Sequence, residues 1–154
     1  MKKNLAIVTL TLTLMFFVFS CNNKQDKQAN TDQIEVKDST IFGKLGDCGM
    51  STIGLISGDT IYDISRTDED GNEGTIYGHV VPDARFCMTI RDDGESLLKA
   101  INLSQLDKFI TGYKILNCDI ILNAATKPDT VQIISLSNDS LIVIGKNGRK
   151  AFIR

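Results

Sequence analysis

Arg85-Phe86-Cys87-Met88-Thr89-Ile90-Arg91 is the stretch of this chain whose side chains alternate most regularly. Successive side chains of a β-strand point to opposite faces. Phe86, Met88 and Ile90 are therefore predicted to share one face, and Arg85, Cys87, Thr89 and Arg91 the other. A strand with one apolar and one polar face is typical of an antiparallel sheet that covers a core on one side. We expect the rest of the domain to be built in the same way.

Short apolar runs separated by turn residues flank this stretch on both sides. The turn pairs are Ser57-Gly58, Pro82-Asp83 and Asn147-Gly148, and Asn-Gly is the strongest short signal for a hairpin. These runs predict further strands at 50–56, 59–65, 75–81, 113–122, 130–136, 141–144 and 150–154. Neighbouring runs are expected to pair as hairpins, which predicts an antiparallel meander.

One segment departs from this pattern, because its apolar residues have the spacing of a helix. Leu97, Leu98 and Ile101 are followed by Leu106, Phe109 and Ile110. We therefore expect one short interrupted helix over about 95–111. The acidic residues just ahead of it, Asp92, Asp93 and Glu95, are expected to cap its N-terminus.

The predicted fold class is mainly β, as a small antiparallel β-barrel or a meander. The element order resembles an OB-like barrel, and the ending over 139–154 resembles the last hairpin of small lipocalin-like barrels in bacterial lipoproteins. A closed barrel would remove exposed strand edges, and one of this size can hold a small ligand. In that case a cavity should be lined by Phe86, Met88, Ile90, Leu116 and Ile120.

The N-terminus carries a separate signal. Lys2 and Lys3 precede an apolar run over 5–19, which is short for a membrane-spanning helix. The polar composition after Cys21 cannot bury enough surface to support a fold. We expect a signal peptide at 1–20, a lipidated N-terminus and flexible tether at 21–38, and a single β-rich domain at 39–154.

Val18-Phe19-Ser20-Cys21 resembles the lipobox of bacterial lipoproteins. The resemblance implies cleavage between Ser20 and Cys21, with a diacylglycerol on the cysteine sulfur and a further acyl chain, such as palmitate, on its amine. Each buried methylene contributes about 0.8 kcal/mol, so two or three chains anchor firmly. It also implies attachment to the cell envelope, at an outer membrane facing the periplasm or the cell surface. A plain secretory signal and a retained helix are the alternatives.

The cysteines bear on stability, because an exported protein meets an oxidising compartment. If Cys21 is lipidated, three cysteines are left. Cys48 lies in a flexible turn, so we expect a disulfide of Cys48 with Cys87 or Cys118. An unpaired Cys118 would be a small core residue.

The sequence contains little that points to catalysis or metal binding. His79 is the single histidine, and no third group is placed to orient a Cys–His pair. The cysteines lack zinc-site spacing, and the acidic run at 68–73 has Glu73 where a calcium loop needs glycine. A net charge of −2 argues against nucleic-acid binding.

We therefore expect no cofactor and no metal. The predicted function is that of a non-catalytic module that binds a small ligand or an envelope protein and contacts the membrane through its lipid anchor. An envelope enzyme or enzyme inhibitor is one alternative. A structural envelope component is another.

Overall fold

Strands account for most of residues 38–154, the part of the chain that the computed structural model describes. The chain order contains eleven strands and one short helix. The strands are β1 (Ile41–Cys48), β2 (Thr52–Ser57), β3 (Thr60–Ser65), β4 (Thr75–Tyr77), β5 (Arg85–Ile90), β6 (Leu97–Asn102), β7 (Lys114–Leu116), β8 (Asp119–Leu122), β9 (Asp129–Leu136), β10 (Ser140–Gly145) and β11 (Gly148–Ile153), and the helix is α1 (Leu103–Leu106).

The strands form two sheets. The first sheet has six strands in the order β3-β2-β1-β5-β6-β4, and the second has five in the order β11-β10-β9-β8-β7. All neighbouring strands in both sheets are antiparallel except β4 and β6, which are parallel. The prediction of a mainly β fold built from antiparallel strands and one short helix is confirmed, in its meander form.

The closed-barrel alternative is wrong, since both sheets are open. The physical reason lies in β5, which is buried on both faces. Phe86 and Met88 pack into a first core with β1, β2 and β3, whereas Cys87 packs into a second core with strands of the second sheet. Rolling the chain around a single core would leave one of these two apolar faces in water.

The prediction that one face of β5 is polar and faces solvent is wrong. Cys87 and Thr89 were expected to face solvent, but their exposed fractions are 0% and 2%. A strand buried on both faces does not show the two-sided pattern of an edge or surface strand. The alternation of Phe86 and Met88 with Cys87 and Thr89 therefore separates two cores.

The predicted helix over 95–111 is largely a strand. Residues 97–102 form β6, and the helix is restricted to Leu103–Leu106. Leu97 and Ala100 face the first core and Ile101 faces the second, so the apolar spacing reflects burial on both faces of a strand. Asp93 accepts hydrogen bonds from the N–H groups of Glu95 and Ser96, and thus closes the turn before β6.

The predicted pairing of 130–136 with 141–144 is confirmed by β9 and β10, and of the three hairpins predicted at named turn pairs two are confirmed and one is wrong. β2 pairs with β3, and β10 pairs with β11, each across the expected turn. The predicted pairing of 75–81 with 85–91 fails, because β4 ends at Tyr77 and pairs with β6 instead. The predicted strand over 113–122 is divided into β7 and β8 by a two-residue turn at Asn117 and Cys118.

Candidate binding site

The second sheet covers only part of the outer face of the first sheet. On β4, β5 and β6 this face carries Tyr77, Cys87 and Ile101, which pack in the core shared with the second sheet. The same face continues across β1, β2 and β3 and includes the first residue of β5, and its side chains there are exposed. We call this part the uncovered face, and it consists of Phe42, Lys44, Ile56, Ile61 and Arg85.

The strand register places these side chains next to one another. Lys44 lies opposite Arg85 on one side and opposite Ile56 on the other. Ile56 in turn lies opposite Ile61 on the edge strand β3. Residues directly opposite in an antiparallel pair share a face and interact. The row therefore runs from two cations to two isoleucines across four strands.

The apolar members of the uncovered face are unusually accessible for their type. The exposed fractions are 46% for Phe42, 41% for Ile56 and 73% for Ile61. Single exposed apolar residues are common on proteins, but a contiguous exposed group indicates an interaction surface. This group meets that description, since Ile56 and Ile61 lie opposite each other on adjacent strands and Phe42 lines the same groove as Ile56.

Two shallow grooves meet at Ile56. The first has a volume of about 440 Å³ and lies between Phe42, Lys44 and Arg85, with Leu103 at its wall. The second has a volume of about 470 Å³ and lies around Gly46, Gly54 and Ile61, with two carboxylates at its rim, Asp47 and Asp63. The uncovered face and its grooves therefore form one continuous surface.

Glycines keep the floor of the second groove low. A Cβ added to Gly54 would lie 3.1 Å from the carbonyl oxygen of Asp47. A Cβ added to Gly46 would lie 3.4 Å from the side chain of Ile56. A side chain at either position would fill the groove, so their absence leaves room for atoms of a bound molecule.

Charge is distributed unevenly along this surface. Arg85 forms an ion pair with Asp107, and its backbone N–H donates to the Ser104 hydroxyl over 2.9 Å. Among residues 38–154, Lys44 has no carboxylate in ion-pair distance, and neither Asp47 nor Asp63 has a cation. The surface therefore has a cationic end, an apolar middle and an anionic end.

The residues predicted to line a barrel cavity are divided between different parts of the structure. Phe86 and Met88 belong to the first core, and Ile90 packs at its margin. Ile120 belongs to the second core, while Leu116 is half-buried in β7. Of these five residues, Phe86 contributes to the wall of the first groove.

The cysteines are arranged differently from the predicted pairing. Cys48 is exposed, whereas Cys87 and Cys118 are buried, and all three are free thiols. The Sγ atoms of Cys87 and Cys118 are 3.5 Å apart. The hydrogen bond between these two thiols, together with burial, raises the pKa of Cys87. The structure thus brings together the two cysteines that the sequence offered as alternative partners of Cys48.

The polar groups considered for chemistry are not gathered around the grooves. His79 is exposed, and its backbone N–H donates to Gln105 Oε1 over 2.9 Å. Asp68 accepts hydrogen bonds from Asn72, which hold its pKa below the ordinary value and close the acidic turn. No cluster of three or more His, Cys, Asp or Glu side chains able to hold a metal ion occurs within 38–154.

Sequence reasoning did not find the uncovered face. Ile56 and Ile61 were placed in strands, but nothing local to the sequence says which strands the second sheet covers. The one available signal is Gly54 inside β2, since a glycine within a strand can mark a place where a ligand or another backbone approaches closely. The predicted lipidation residue Cys21 and the cleavage residue Ser20 lie outside the described residues.

Comparison of the chain with protein-family models, with curated proteins and with solved structures returned no match. Within residues 38–154, the structure contains no helix of the length and apolar character needed to span a bilayer.

Proposed function

We propose that this protein is a lipid-anchored, non-catalytic module of a bacterial cell envelope that binds a partner protein on its uncovered face. The observation that carries this proposal is the register of Lys44, Ile56 and Ile61 across three adjacent strands, exposed where the second sheet ends. Interface centres are enriched in aromatic residues and arginine, and Phe42 and Arg85 flank this row.

The distribution of charge defines the partner. A bound segment would place apolar side chains on Phe42, Ile56 and Ile61. It would place a carboxylate near Lys44, and a cation near Asp47 and Asp63, because complementary charge directs orientation in an interface. The occupant is therefore an apolar protein segment with an acidic group at one end and a basic group at the other.

The packing of the interior favours a protein partner over an enclosed ligand. Phe86, Met88 and Ile120 are at most 1% exposed and lie in two separate cores. Ligand sites for small molecules usually enclose most of the ligand surface. The grooves at the uncovered face are open instead, so a protein partner could cover them with part of its own surface.

The anchor part of the proposal is supported by the sequence Val18-Phe19-Ser20-Cys21 after a charged and then apolar N-terminus. Lipid attachment at Cys21 would hold the domain near a membrane and raise the local concentration of partners in the same envelope. The polar segment that follows Cys21 would act as a tether that lets the domain contact partners at a distance from the membrane surface.

The binding proposal can be tested by photo-crosslinking in cells. A photoreactive phenylalanine analogue is placed at Phe42 or Ile61, and the matched control carries it at Ile134, which is 51% exposed on β9 of the second sheet. We expect one discrete protein adduct from positions 42 and 61 and none from position 134. Lys44→Glu should abolish that adduct, since it reverses the charge that the partner's carboxylate meets.

The identity of the adduct decides the result. The captured protein should contain an apolar segment flanked by opposite charges, and replacing its acidic residue by lysine should restore the adduct with Lys44→Glu. An adduct with a second copy of this chain, an adduct with lipid, or equal labelling from Ile134 would each contradict the proposal.

The anchor is tested separately by metabolic labelling with an alkyne-bearing fatty acid. Wild-type protein should carry the label and sediment with membranes, and Cys21→Ala should lose both properties. Cys48→Ala, which removes an exposed cysteine of the domain, should keep them. Retention of label by Cys21→Ala would refute lipidation at this residue.

A further inference from the structure

Two cysteines from different sheets face each other inside the molecule. Cys87 lies on β5 of the first sheet, and Cys118 lies in the turn between β7 and β8 of the second. Their Sγ atoms are 3.5 Å apart, and their exposed fractions are 0% and 2%. Cys118 Sγ also lies 3.8 Å from the carbonyl oxygen of Lys99 on β6.

The backbone at Cys118 is unusual for a cysteine. Asn117 and Cys118 have φ values of 50° and 55°, so both central residues of this two-residue turn are left-handed. Such turns favour glycine at the second position, where a Cβ is disfavoured. The presence of cysteine there needs a reason other than the turn itself, and the sulfur of Cys87 in direct contact supplies one.

The turn is also fastened in place by the start of the domain. Asp38 Oδ1 accepts a hydrogen bond from the Asn117 N–H over 3.1 Å. Thr40 Oγ1 accepts one from the Cys118 N–H over 3.3 Å. These contacts position Cys118 against β5, so only a small displacement separates the two thiols from bonding distance.

We propose that Cys87 and Cys118 are oxidised to a disulfide in the exported protein, which covalently joins the two sheets. The two thiols lose two electrons and two protons as the S–S bond forms. An exchangeable disulfide accepts them and is released as two thiols. The inference rests on the proposed export, because a reducing cytoplasm would keep the pair as thiols.

Burial determines when the bond can form. Both sulfurs are shielded in the folded domain, and their mutual hydrogen bond together with burial disfavours the reactive thiolate at Cys87. Oxidation should therefore occur while the chain folds, before the β7–β8 turn docks. Once formed, the bond should resist reductants for the same reason.

The first test uses the lipidated full chain isolated from membranes. Free thiols are blocked in denaturant, the protein is then reduced, and newly exposed thiols are tagged and mapped by mass spectrometry. We expect the second tag on Cys87 and Cys118 only, and the first on Cys48. A first tag on Cys87 and Cys118, or a bridge that includes Cys48, would overturn the inference.

The second test is independent of cellular location. Full-length protein with Cys21→Ser and Cys48→Ser, whose remaining cysteines are Cys87 and Cys118, is unfolded, reduced and refolded in a buffer of reduced and oxidised glutathione. Its intact mass should fall by about 2 Da, the two hydrogens removed on oxidation. The oxidised form should unfold at a higher urea concentration than the reduced form. Adding Cys87→Ala or Cys118→Ala to this double variant should remove both changes, because one cysteine is then left.

The two tests separate failure of this inference from failure of the proposed function. If the mass does not change on refolding, the inference that Cys87 and Cys118 are placed to form a disulfide is refuted, whether or not the protein is lipidated. Free thiols at Cys87 and Cys118 in protein that carries the lipid label would refute oxidation while leaving the anchor intact.

Discussion

Gly78 occupies the tightest position among the left-handed glycines of the domain. Its φ is +91°, and a Cβ there would lie 2.8 Å from Asn102 Cβ and from Gln105 Oε1. Gly58 is also left-handed, with a φ of +57°, but has open space around its Cα. The two positions therefore separate the cost of backbone strain from the cost of a clash.

We expect Gly58→Ala to lower the free energy of unfolding by about 1–2 kcal/mol, because alanine is disfavoured at positive φ. Gly78→Ala should cost about 1–3 kcal/mol more, since its methyl group displaces packed neighbours. Urea denaturation followed by circular dichroism measures both. Equal losses would show that the surroundings of Gly78 can relax.

Asp129 is a buried carboxylate whose titration should appear in the acid stability of the domain. Its Oδ2 accepts from Lys150 Nζ over 3.2 Å and from Asn147 Nδ2 over 3.4 Å. The hydrogen bond from Lys150 holds the pKa of Asp129 below its ordinary value of 3.8. The folded state therefore binds this proton less readily than the unfolded state does.

The resulting stabilisation is present above the unfolded pKa and is lost as the pH falls through the folded pKa. Asp129→Asn should remove this contribution. Its urea midpoint should be lower than that of the wild type at neutral pH, and the two should converge as the pH falls below about 4. Urea titrations over this range measure the difference. A constant difference between the wild-type and Asp129→Asn urea midpoints across this pH range would refute a role for Asp129 in acid stability.

At the scale of elements, Asn102 joins β6, α1 and the segment after β4. Its Oδ1 accepts from the Gln105 N–H over 2.9 Å and caps α1. Its Nδ2 donates to the carbonyl oxygen of His79 over 2.7 Å. One buried amide thus satisfies polar groups on two elements that are distant in sequence.

Asn102→Ala should lower the free energy of unfolding by about 1–3 kcal/mol, because it removes the cap and the donor to His79. Asn102→Asp keeps the capping acceptor but not the donor. It should therefore preserve the hydrogen-exchange protection of the Gln105 amide while exposing the segment at Gly78 and His79. Loss of Gln105 protection in both variants would contradict this division of roles.

Elements whose ends are defined by local turn chemistry were predictable. The β2–β3 and β10–β11 hairpins follow from Gly58 and from Asn147-Gly148, where the backbone conformation depends on the turn residues themselves. β6 was not predictable, since a strand buried on both faces resembles a helix in its apolar spacing. The parallel pairing of β4 with β6 depends on contacts far apart in sequence.

At the scale of the molecule, β5 and β6 supply side chains to both cores, which should couple the two sheets. Met88 is fully buried in the first core and Ile120 in the second. Met88→Ala and Ile120→Ala should each lower the free energy of unfolding by about 2–5 kcal/mol. Each should also destabilise both sheets, because neither core persists once β5 is displaced.

Hydrogen exchange resolved by sheet, at increasing urea, measures this coupling. In each variant, we expect the slowest-exchanging amides of β2 in the first sheet and of β9 in the second to report the same free energy of opening. Independent loss of protection in one sheet would show that the two cores unfold separately.

The candidate binding site depends on how the two sheets of the whole molecule pack together. Ile56 and Ile61 lie in predicted strands and Phe42 lies outside them, and the three form a surface only because the second sheet covers the first sheet no further than β5. Cys87 and Cys118 likewise meet only because β7 and β8 pack on β5. Neither arrangement has a counterpart in residue spacing.

By itself, the sequence determined the β class of the domain, the β2–β3 and β10–β11 hairpins and the motif that predicts an anchor at Cys21. These depend on side-chain alternation, on turn conformation and on a short linear motif, all of which act between neighbours along the chain. Only the tertiary structure decided that β5 divides two cores, that part of one face stays uncovered and that Cys87 faces Cys118. These depend on which apolar faces meet, and packing between distant strands decides that at the level of the whole molecule.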